Sequence, residues 1–490
     1  MRALDYIWPA PQKISAPGKK LCIINRVISA SGNVPLNFAE GLAELGIKSS
    51  RKGLQVKFKN SRSVRSPEGY NLSISETCIT VKASGEKGFF YAAETLLQIF
   101  GYSLPGGKLP CVKIEDAPAH GVRAFMVDLG RSSFSFGYLK RIIRIMASLK
   151  MNALHLHLYD DQLFGLRLKG LPLGSENPSA LTLAEFKALI KYAQKFHIEV
   201  IPEIEAWGHV GSIVYHYPEL KGGPGMYGST SFLICSKTIA LIEEIASQII
   251  SVMPDSGILH FGLDEANWYL SKEPSMEGMS PTGLVGAYYD VLEKLNKKHN
   301  KKIKMWAWAD HGGRPLPDKL KGKIVLEPWN YWTRNTERIL KELEFYGGKD
   351  KPAFMLAGGI SAEQFRGAYQ ATRLWSLRGI KYPNVMGVDV TFWGTNDIPS
   401  AILSLFASFG FCWNPQPDDL PESADYEILD QLLGRKMMAW QLAFRAGRQD
   451  FLFKEMGPVV YNGFFLTGKK HGKPVAKTAD LNRLGYYIEE

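Results

Sequence analysis

The run "HFGLDEANW" closes on two adjacent acids, Asp264 and Glu265. Neighbouring carboxyl groups suit chemistry that needs a proton donor and an anion at one place. Polar residues of matching character end several other apolar runs: Asp128 with Arg131, Asp160 with Asp161, and Glu203 and Glu205 with His209. Further along stand Trp308 with Asp310, Glu327 with Trp329, Asn330 and Tyr331, and Asp389 with Trp393, Asn396 and Asp397. Acids move protons or hold hydroxyls, and tryptophan faces cover the apolar C–H face of a pyranose. Such a set, with no Gly-rich phosphate loop beside it, reads as a sugar site. Each member also has a plainer reading, the tryptophans as rim packing and a single acid as the cap of the next helix.

The elements that must position these residues follow one rhythm of strand, loop and helix. Strands are expected at 122–129, 153–159, 199–205, 258–264, 304–310, 323–329, 353–358 and 385–393. Helical patterns such as YLKRIIRIMASLK, TLAEFKALIKYAQKF, AYYDVLEKLNKKH and SAEQFRGAYQATRLWSL lie between them. Eight mostly apolar strands, each followed by a helix or turn, are the pattern of a (β/α)8 barrel, whose chemistry sits at the C-terminal strand ends. Residues 1–118 alternate short strand runs (LCIINRVI, LQVKFKN, YNLSIS, CITVKA) with the helical stretches NFAEGLAELG and FFYAAETLLQIF. This predicts a small α+β domain at 1–118, a barrel at 119–414 and a helical extension at 415–490, where DYEILDQLLGRKMMAWQLAF is helical in pattern.

Composition sets limits on the alternatives. The 490 residues are 45% hydrophobic, 12% aromatic and 22% charged, which is globular and too long for one ordinary domain. MRALDYIWPAPQKIS lacks an apolar signal core, so the expected location is cytoplasmic, and no long apolar run predicts a membrane span. Cys22, Cys78, Cys111, Cys235 and Cys412 are scattered and odd in number, which fits a reducing compartment. His155 and His157 alternate on one strand without a third converging ligand, so a packed, hydrogen-bonded pair is expected and no metal. "GEKGFFYA" lacks the context of a nucleotide loop, and no cofactor is expected. The net charge of +11 admits a polyanionic partner, yet "NKKHNKKIK" also reads as a solvated helix end, where cations favour the helix dipole. No nucleic acid is expected as partner, and a homo-oligomer is an open expectation.

"GVRAFMVDLGRSSFSFGYLKRIIRIMASLKMNALHLHLYDDQ", "EVIPEIEAWGHV" and "HFGLDEA" resemble, in order and spacing, glycoside hydrolase family 20, the β-N-acetylhexosaminidases. The stretch "EGYNLSISETCITVKASGEKGFFYAAETLLQIF" resembles the α+β domain that precedes the barrel there, and the likeness covers about residues 60 to 410. The later stretches "MWAWAD", "EPWNYW", "FMLAGGISAEQF" and "VTFWGTND" look more like a divergent branch that includes enzymes acting on terminal glucosamine or N-acetylglucosamine.

The resemblance implies an exo-acting enzyme that removes a terminal β-linked N-acetylglucosamine or N-acetylgalactosamine from a glycan, with retention, using the sugar's own 2-acetamido oxygen as nucleophile. Adjacent strand residues point to opposite faces, so Asp264 and Glu265 are not expected to face each other across a bond as two ordinary glycosidase carboxylates do. By resemblance Glu265 is the general acid, Asp264 orients the acetamide, His209 and Asp160 tune Glu265, and Arg131 clamps ring hydroxyls. Trp308, Trp329 and Trp393 resemble the pocket walls, with Trp393 as floor, and Glu205 stands behind them. The family's Tyr-x-Asp after the seventh strand is missing from "AFMLAGG", and Thr395 stands where the family has an acid. Tyr331 is the expected substitute for the acetamide grip, and Asn396 or Asp397 for the contact to outer hydroxyls. Two other classes remain open at this point: an exo-β-D-glucosaminidase in which Asp264 pairs with a free amine, and a catalytically silent sugar-binding protein.

Overall fold

The computed structural model describes residues 4–445 apart from 5, 17–19, 226–227, 267–278, 310–315, 317, 332–335, 361–367, 395–397, 418–419 and 421–425, and also 469–470 and 473–474. Its N-terminal part is a mixed seven-stranded sheet in the spatial order Lys13–Ser15, Val112–Asp116, Tyr70–Ile74, Cys78–Ala83, Leu54–Asn60, Val27–Gly32 and Lys48–Ser49. The run LCIINRVI divides between two sheets. Leu21–Ile23 pairs with Lys108–Pro110, Arg26 turns the chain with φ 52°, and Val27–Gly32 enters the main sheet. The helix Glu86–Ser103 is buried around nearly its whole circumference, because sheet covers one side and other helices cover the rest.

The second part is a closed barrel of eight strands. They are β1 (Val122–Asp128), β2 (Ala153–His157), β3 (Glu199–Glu203), β4 (Ser256–His260), β5 (Lys302–Trp308), β6 (Ile324–Glu327), β7 (Phe354–Ile360) and β8 (Val385–Phe392). All neighbours pair in parallel, and β8 closes on β1. The eight expected strands are these eight, with their ends shifted by a few residues. Around them lie α1 (Phe136–Ser148), α2 (Leu183–Gln194), α3 (Ser236–Val252), α4 (Pro281–His299), α5 (Thr336–Tyr346), α6 (Tyr369–Gly379) and α7 (Ile398–Trp413). Local chemistry sets the helix starts. Ser135 caps α1 by accepting from Tyr138 N, and Thr182 with Glu185 forms a reciprocal cap on α2. A last helix, α8 (Tyr426–Arg445), lies against Glu86–Ser103.

Strand alternation sorts the barrel interior into layers. Ala124, Ala153, Ile201, Ile258, Trp306 and Met355 form an apolar plug toward the strand starts. Further along the inward faces come His155, Glu203 and His260, each two residues beyond a plug residue, together with His157, Glu327 and Asp389, all buried. The interior thus passes from hydrocarbon to charge in the direction of the C-terminal strand ends.

The N-terminal part is joined to the barrel by buried ion pairs. Arg123 donates to Glu68 at 2.8 Å, while Lys150 donates to Asp116 and to the Tyr70 hydroxyl, each at 2.9 Å. Lys150 exposes no surface and lies 4.4 Å from the Trp413 ring centre. Removing one partner of such a pair strands the other charge, at a cost of about 3–5 kcal/mol. Asp116→Ala is therefore expected to lower the unfolding free energy by about that amount in urea titration, with the activity of the folded fraction unchanged.

Candidate active site

The polar residues expected at strand ends converge at the mouth of the barrel. After β1 the chain turns so that the Asp128 carboxylate accepts from Gly130 N, Arg131 N and Gly394 N at 2.8–2.9 Å, which ties the ends of β1 and β8 together. Arg131 then spans three groups. Its guanidinium lies 3.0 Å from Asp128 Oδ2, 2.7 Å from Asp160 Oδ2, and 5.4 Å from the centre of the Trp393 ring.

Asp160 and His209 form the centre of the site. Nδ1 of His209 is 3.3 Å from Asp160 Oδ1, and Nε2 is 3.2 Å from Glu265 Oε2 and 3.9 Å from Asp264 Oδ2. Burial works against a charge on His209, but Asp160, Glu265 and Asp264 outweigh it and hold the imidazole well above its ordinary range. As an imidazolium it donates through Nδ1 to Asp160 and through Nε2 to Glu265. The approach of Arg131 Nη2 to Nδ1, 3.1 Å, is then a contact of like charges tolerated because Asp160 lies between them. Asp160 itself is fully buried, yet Arg131, His209 and His157 hold its carboxyl well below the usual carboxylate range.

Asp264 and Glu265 differ from the expectation of opposite faces. The ladder of β4 ends at His260, and Gly262, Leu263 and Glu265 take φ values of 62°, 75° and 45°. The pair therefore leaves a left-handed turn rather than a strand, and both carboxyls reach the same imidazole nitrogen. A Cβ on Gly262 would stand 2.0 Å from Glu205 Oε2, and one on Gly208 would stand 2.4 Å from the Asp264 carbonyl oxygen. Ile204 N and Ala206 N donate to His260 O and Phe261 O at 2.9 and 3.2 Å, which holds the turn beside the segment carrying His209.

Burial pushes Asp264 up to about 6, with the charge of Glu265 adding to it and His209 opposing it. One of its oxygens, Oδ1, accepts from no N–H or hydroxyl among the described residues. Behind it, burial and the charges of Asp264, Glu203 and Asp160 push Glu205 well above its ordinary range, and its carboxyl lies within hydrogen-bonding reach of Asp264.

The two histidines of β2 are packed and hydrogen-bonded. His155 Nδ1 is 2.6 Å from Asp389, and His157 bridges Glu203 at 2.7 Å and Asp160 at 2.9 Å. His157 is the functional residue that sequence reasoning assigned only to packing. It carries the charge of the interior up to Asp160, and the Asp three residues after an inward histidine was the available signal. The donor atoms of His155, Glu203 and His260 lie within 4.8 Å of one another. However, Glu203 already accepts from His157 and from Trp308 Nε1, and His260 Nδ1 accepts from Gly262 N at 3.0 Å. The arrangement fits a hydrogen-bonded core.

The aromatic residues form two tiers. Trp308 is fully enclosed, bonded to Glu203 and 5.7 Å from the Trp393 ring, so it supports the pocket from beneath instead of forming a wall. Trp393 and Trp329 remain partly exposed. The Trp393 Nε1–H donates to the Tyr331 hydroxyl at 2.8 Å, and the Tyr331 ring stacks on Trp329 at 5.4 Å. Tyr331 thus lies between Trp393 and Trp329. Asp310, Thr395, Asn396 and Asp397 lie outside the described residues. β7, with the sequence FMLAGGI, offers no polar side chain.

Residues 120–344 match the catalytic domain of glycosyl hydrolase family 20, and residues 5–117 match domain 2 of the same family. The chain belongs to glycosyl hydrolase family 20. The match to the catalytic domain ends before β7, where the sequence departs from the family pattern. A beta-hexosaminidase of Porphyromonas gingivalis is 27% identical over 282 residues, covering 50% of this chain and 36% of the relative. A beta-N-acetylhexosaminidase of Cellulomonas fimi is 33% identical over 296 residues, covering 55% and 54%. The chain aligns with roughly a third to a half of the length of such curated relatives. Among solved structures, a Flavobacterium johnsoniae chitobiase has a TM-score of 0.70 at 19% identity, covering 91% of this chain and 74% of the other. The family 20 beta-N-acetylhexosaminidase of Streptomyces coelicolor has a TM-score of 0.68 at 20% identity, covering 90% and 96%.

The raised Asp264 has a consequence for stability. A carboxyl whose folded pKa lies above its unfolded value of 3.8 binds its proton more tightly when folded, so stability falls as pH rises from about 4 to 6 and stays lower above that. Asp264→Asn removes this loss. Its melting temperature is expected to exceed the parent's at pH 7.5, and the gap is expected to vanish near pH 4 when both are scanned across pH.

Proposed function

We propose that the protein is an exo-acting β-N-acetylhexosaminidase that releases terminal β-linked N-acetylglucosamine or N-acetylgalactosamine from glycans with retention, by substrate-assisted catalysis. The observation that carries this reading is the convergence of Asp264 and Glu265 on one imidazole, His209, which is itself held by buried Asp160. Two carboxylates that act in turn as acid and nucleophile lie on opposite sides of the sugar, about 5 Å apart. Here both come from one side, so the second carboxylate is better placed to serve a group on the substrate than to attack the anomeric carbon.

Glu265 protonates the leaving oxygen as the glycosidic bond breaks, and the acetamide carbonyl oxygen bonds to the anomeric carbon to give an oxazolinium ion. Water then attacks that carbon, Glu265 takes its proton, and the acetamide is restored. Asp264 must be ionised in this scheme, to accept from the acetamide N–H and to offset the positive charge on the ring. Its Oδ1 accepts from no N–H or hydroxyl among the described residues, and at about 6 its raised pKa leaves it mostly ionised at pH 7. Arg131, fixed by Asp128 and Asp160, is placed to hold ring hydroxyls, and Trp393 to lie beneath the ring. Tyr331 is the proposed acetamide grip, and Asp397 the proposed contact to outer hydroxyls.

A second reading, an exo-β-D-glucosaminidase, is favoured by the lack of any polar side chain in β7. In that case Asp264 is the salt-bridge partner of a free amine. Parallel assays of p-nitrophenyl β-N-acetylglucosaminide and the unacetylated glucosaminide separate the two. The first substrate alone is expected to turn over, and hydrolysis of the second alone reverses the assignment.

Glu265→Gln is expected to lower kcat by about 10²–10⁴-fold on substrates with poor leaving groups, because only proton donation is lost. An activated aryl leaving group is expected to recover part of the rate. Equal losses on both substrates contradict the acid role.

A further inference from the structure

The chemistry above leaves Asp161, the acid next to Asp160, without a task. Its side chain is only 10% exposed, and its own N–H donates at 2.6 Å to Asp160 Oδ1, the oxygen that His209 Nδ1 approaches at 3.3 Å. The Asp161 carboxylate reaches two other segments. Oδ1 accepts from Gly211 N at 2.8 Å and from Thr230 N at 3.0 Å, while Oδ2 lies 3.8 Å from His209 Nδ1.

Thr230 belongs to a hairpin whose strands, Lys221–Pro224 and Thr230–Phe232, pair antiparallel. The second strand also runs beside the segment that carries His209. Val210 N donates to Thr230 O at 3.0 Å and Phe232 N to Trp207 O at 2.8 Å, so contacts are made on either side of His209. His209 takes φ 54°, a conformation that a non-glycine residue keeps only where its surroundings hold it. The same hairpin reaches the proposed acid, since a Cβ on Gly225 would stand 3.0 Å from the Glu265 carbonyl oxygen. A Cβ on Gly211 would stand 2.7 Å from Asp161 O and 2.8 Å from Oδ1, so the segment approaches Asp161 too closely for a side chain there. One carboxylate thus binds the end of β2 to the His209 segment and to the hairpin beside Glu265.

We propose that Asp161 is a positioning residue, which by accepting from Gly211 N and Thr230 N holds the His209 segment in the register that brings His209 Nε2 to Glu265. It acts as an acceptor, because Oδ2 stands beyond hydrogen-bond reach of the imidazole and Asp160 supplies the nearer charge. Burial and the charge of Asp160 push the Asp161 carboxyl above its ordinary range, against the pull of His209 and of the two N–H groups, which is no setting for a group valued for its charge. The link to catalysis rests on the hexosaminidase reading, in which Glu265 is the acid.

Asp161→Ala and Asp161→Asn are compared with the parent by amide exchange, read by mass spectrometry over peptides spanning 207–212 and 229–232. Asp161→Ala frees both N–H groups, and exchange there is expected to rise at least about tenfold, while Asp161→Asn keeps an acceptor oxygen and is expected to exchange like the parent. In rates per folded enzyme, Asp161→Ala is expected to lower kcat by about 10²-fold on methyl β-N-acetylglucosaminide and by less than about tenfold on the activated p-nitrophenyl substrate, with KM little changed, because a displaced His209 impairs proton donation by Glu265. Asp161→Asn is expected to keep kcat within about fivefold of the parent on both. Unchanged exchange in Asp161→Ala, equal losses on the two substrates, or a loss in Asp161→Asn as large as in Asp161→Ala overturns the proposal. A parent that hydrolyses neither substrate contradicts the hexosaminidase reading instead, and the exchange rates alone then decide whether Asp161 holds the segment.

Discussion

A charged imidazole buried among carboxylates is the constraint on which the rest of the site depends. Asp160, Glu265 and Asp264 together hold His209 well above its ordinary range, and Arg131, His209 and His157 in turn hold Asp160 well below its own. Glu203 holds His157 in turn and accepts from Trp308. The chain of contacts runs from the middle of the barrel to the mouth, and each charge is tolerable in its buried place because its neighbours carry the opposite sign. The barrel supplies the geometry for this at little conformational cost, since inward residues two apart on one strand lie in successive layers. An apolar plug below and charge above follow from one alternation.

The backbone around the pair is bent to serve that arrangement. His209, Leu263 and Glu265 all take positive φ without being glycine, a conformation that costs of order 1–3 kcal/mol each and persists only where surrounding structure holds it. Both segments meet across Gly208 and Gly262, where a side chain would collide with Asp264 or Glu205. The strained turn gives what an extended strand would not, two consecutive carboxyls beside one imidazole. Asp264 is left with a raised pKa and an oxygen that accepts from no N–H or hydroxyl among the described residues, features that reduce stability in the free protein and suit a ligand N–H.

Much of this was legible in the sequence, for physical reasons. Parallel barrel strands are covered on both faces, so they read as short apolar runs, and their polar last residues stand out as site candidates. That logic located Arg131, Asp160, His209, Asp264 and Glu265 near one another. It failed where the backbone leaves regular geometry. Alternation extended past His260 placed the two acids on opposite faces, whereas Gly262 and Leu263 turn the chain left-handed. It also took Trp308 for a wall, because hydrophobic pattern does not show that its indole N–H is held by Glu203 inside the barrel. In the N-terminal part, LCIINRVI read as one strand because the turn at Arg26 lacks a glycine or proline to mark it.

The central claim is that the substrate's acetamide, oriented by Asp264, is the nucleophile. A thiazoline that imitates the cyclised intermediate tests it most directly, because such a ligand binds through features present only after the acetamide has closed on the ring. Its inhibition constant is expected to lie at least about 10²-fold below the KM of the N-acetylglucosaminide, and Asp264→Asn is expected to lose most of that advantage. A thiazoline that binds the parent no more tightly than free N-acetylglucosamine, or equally well to both proteins, contradicts the account.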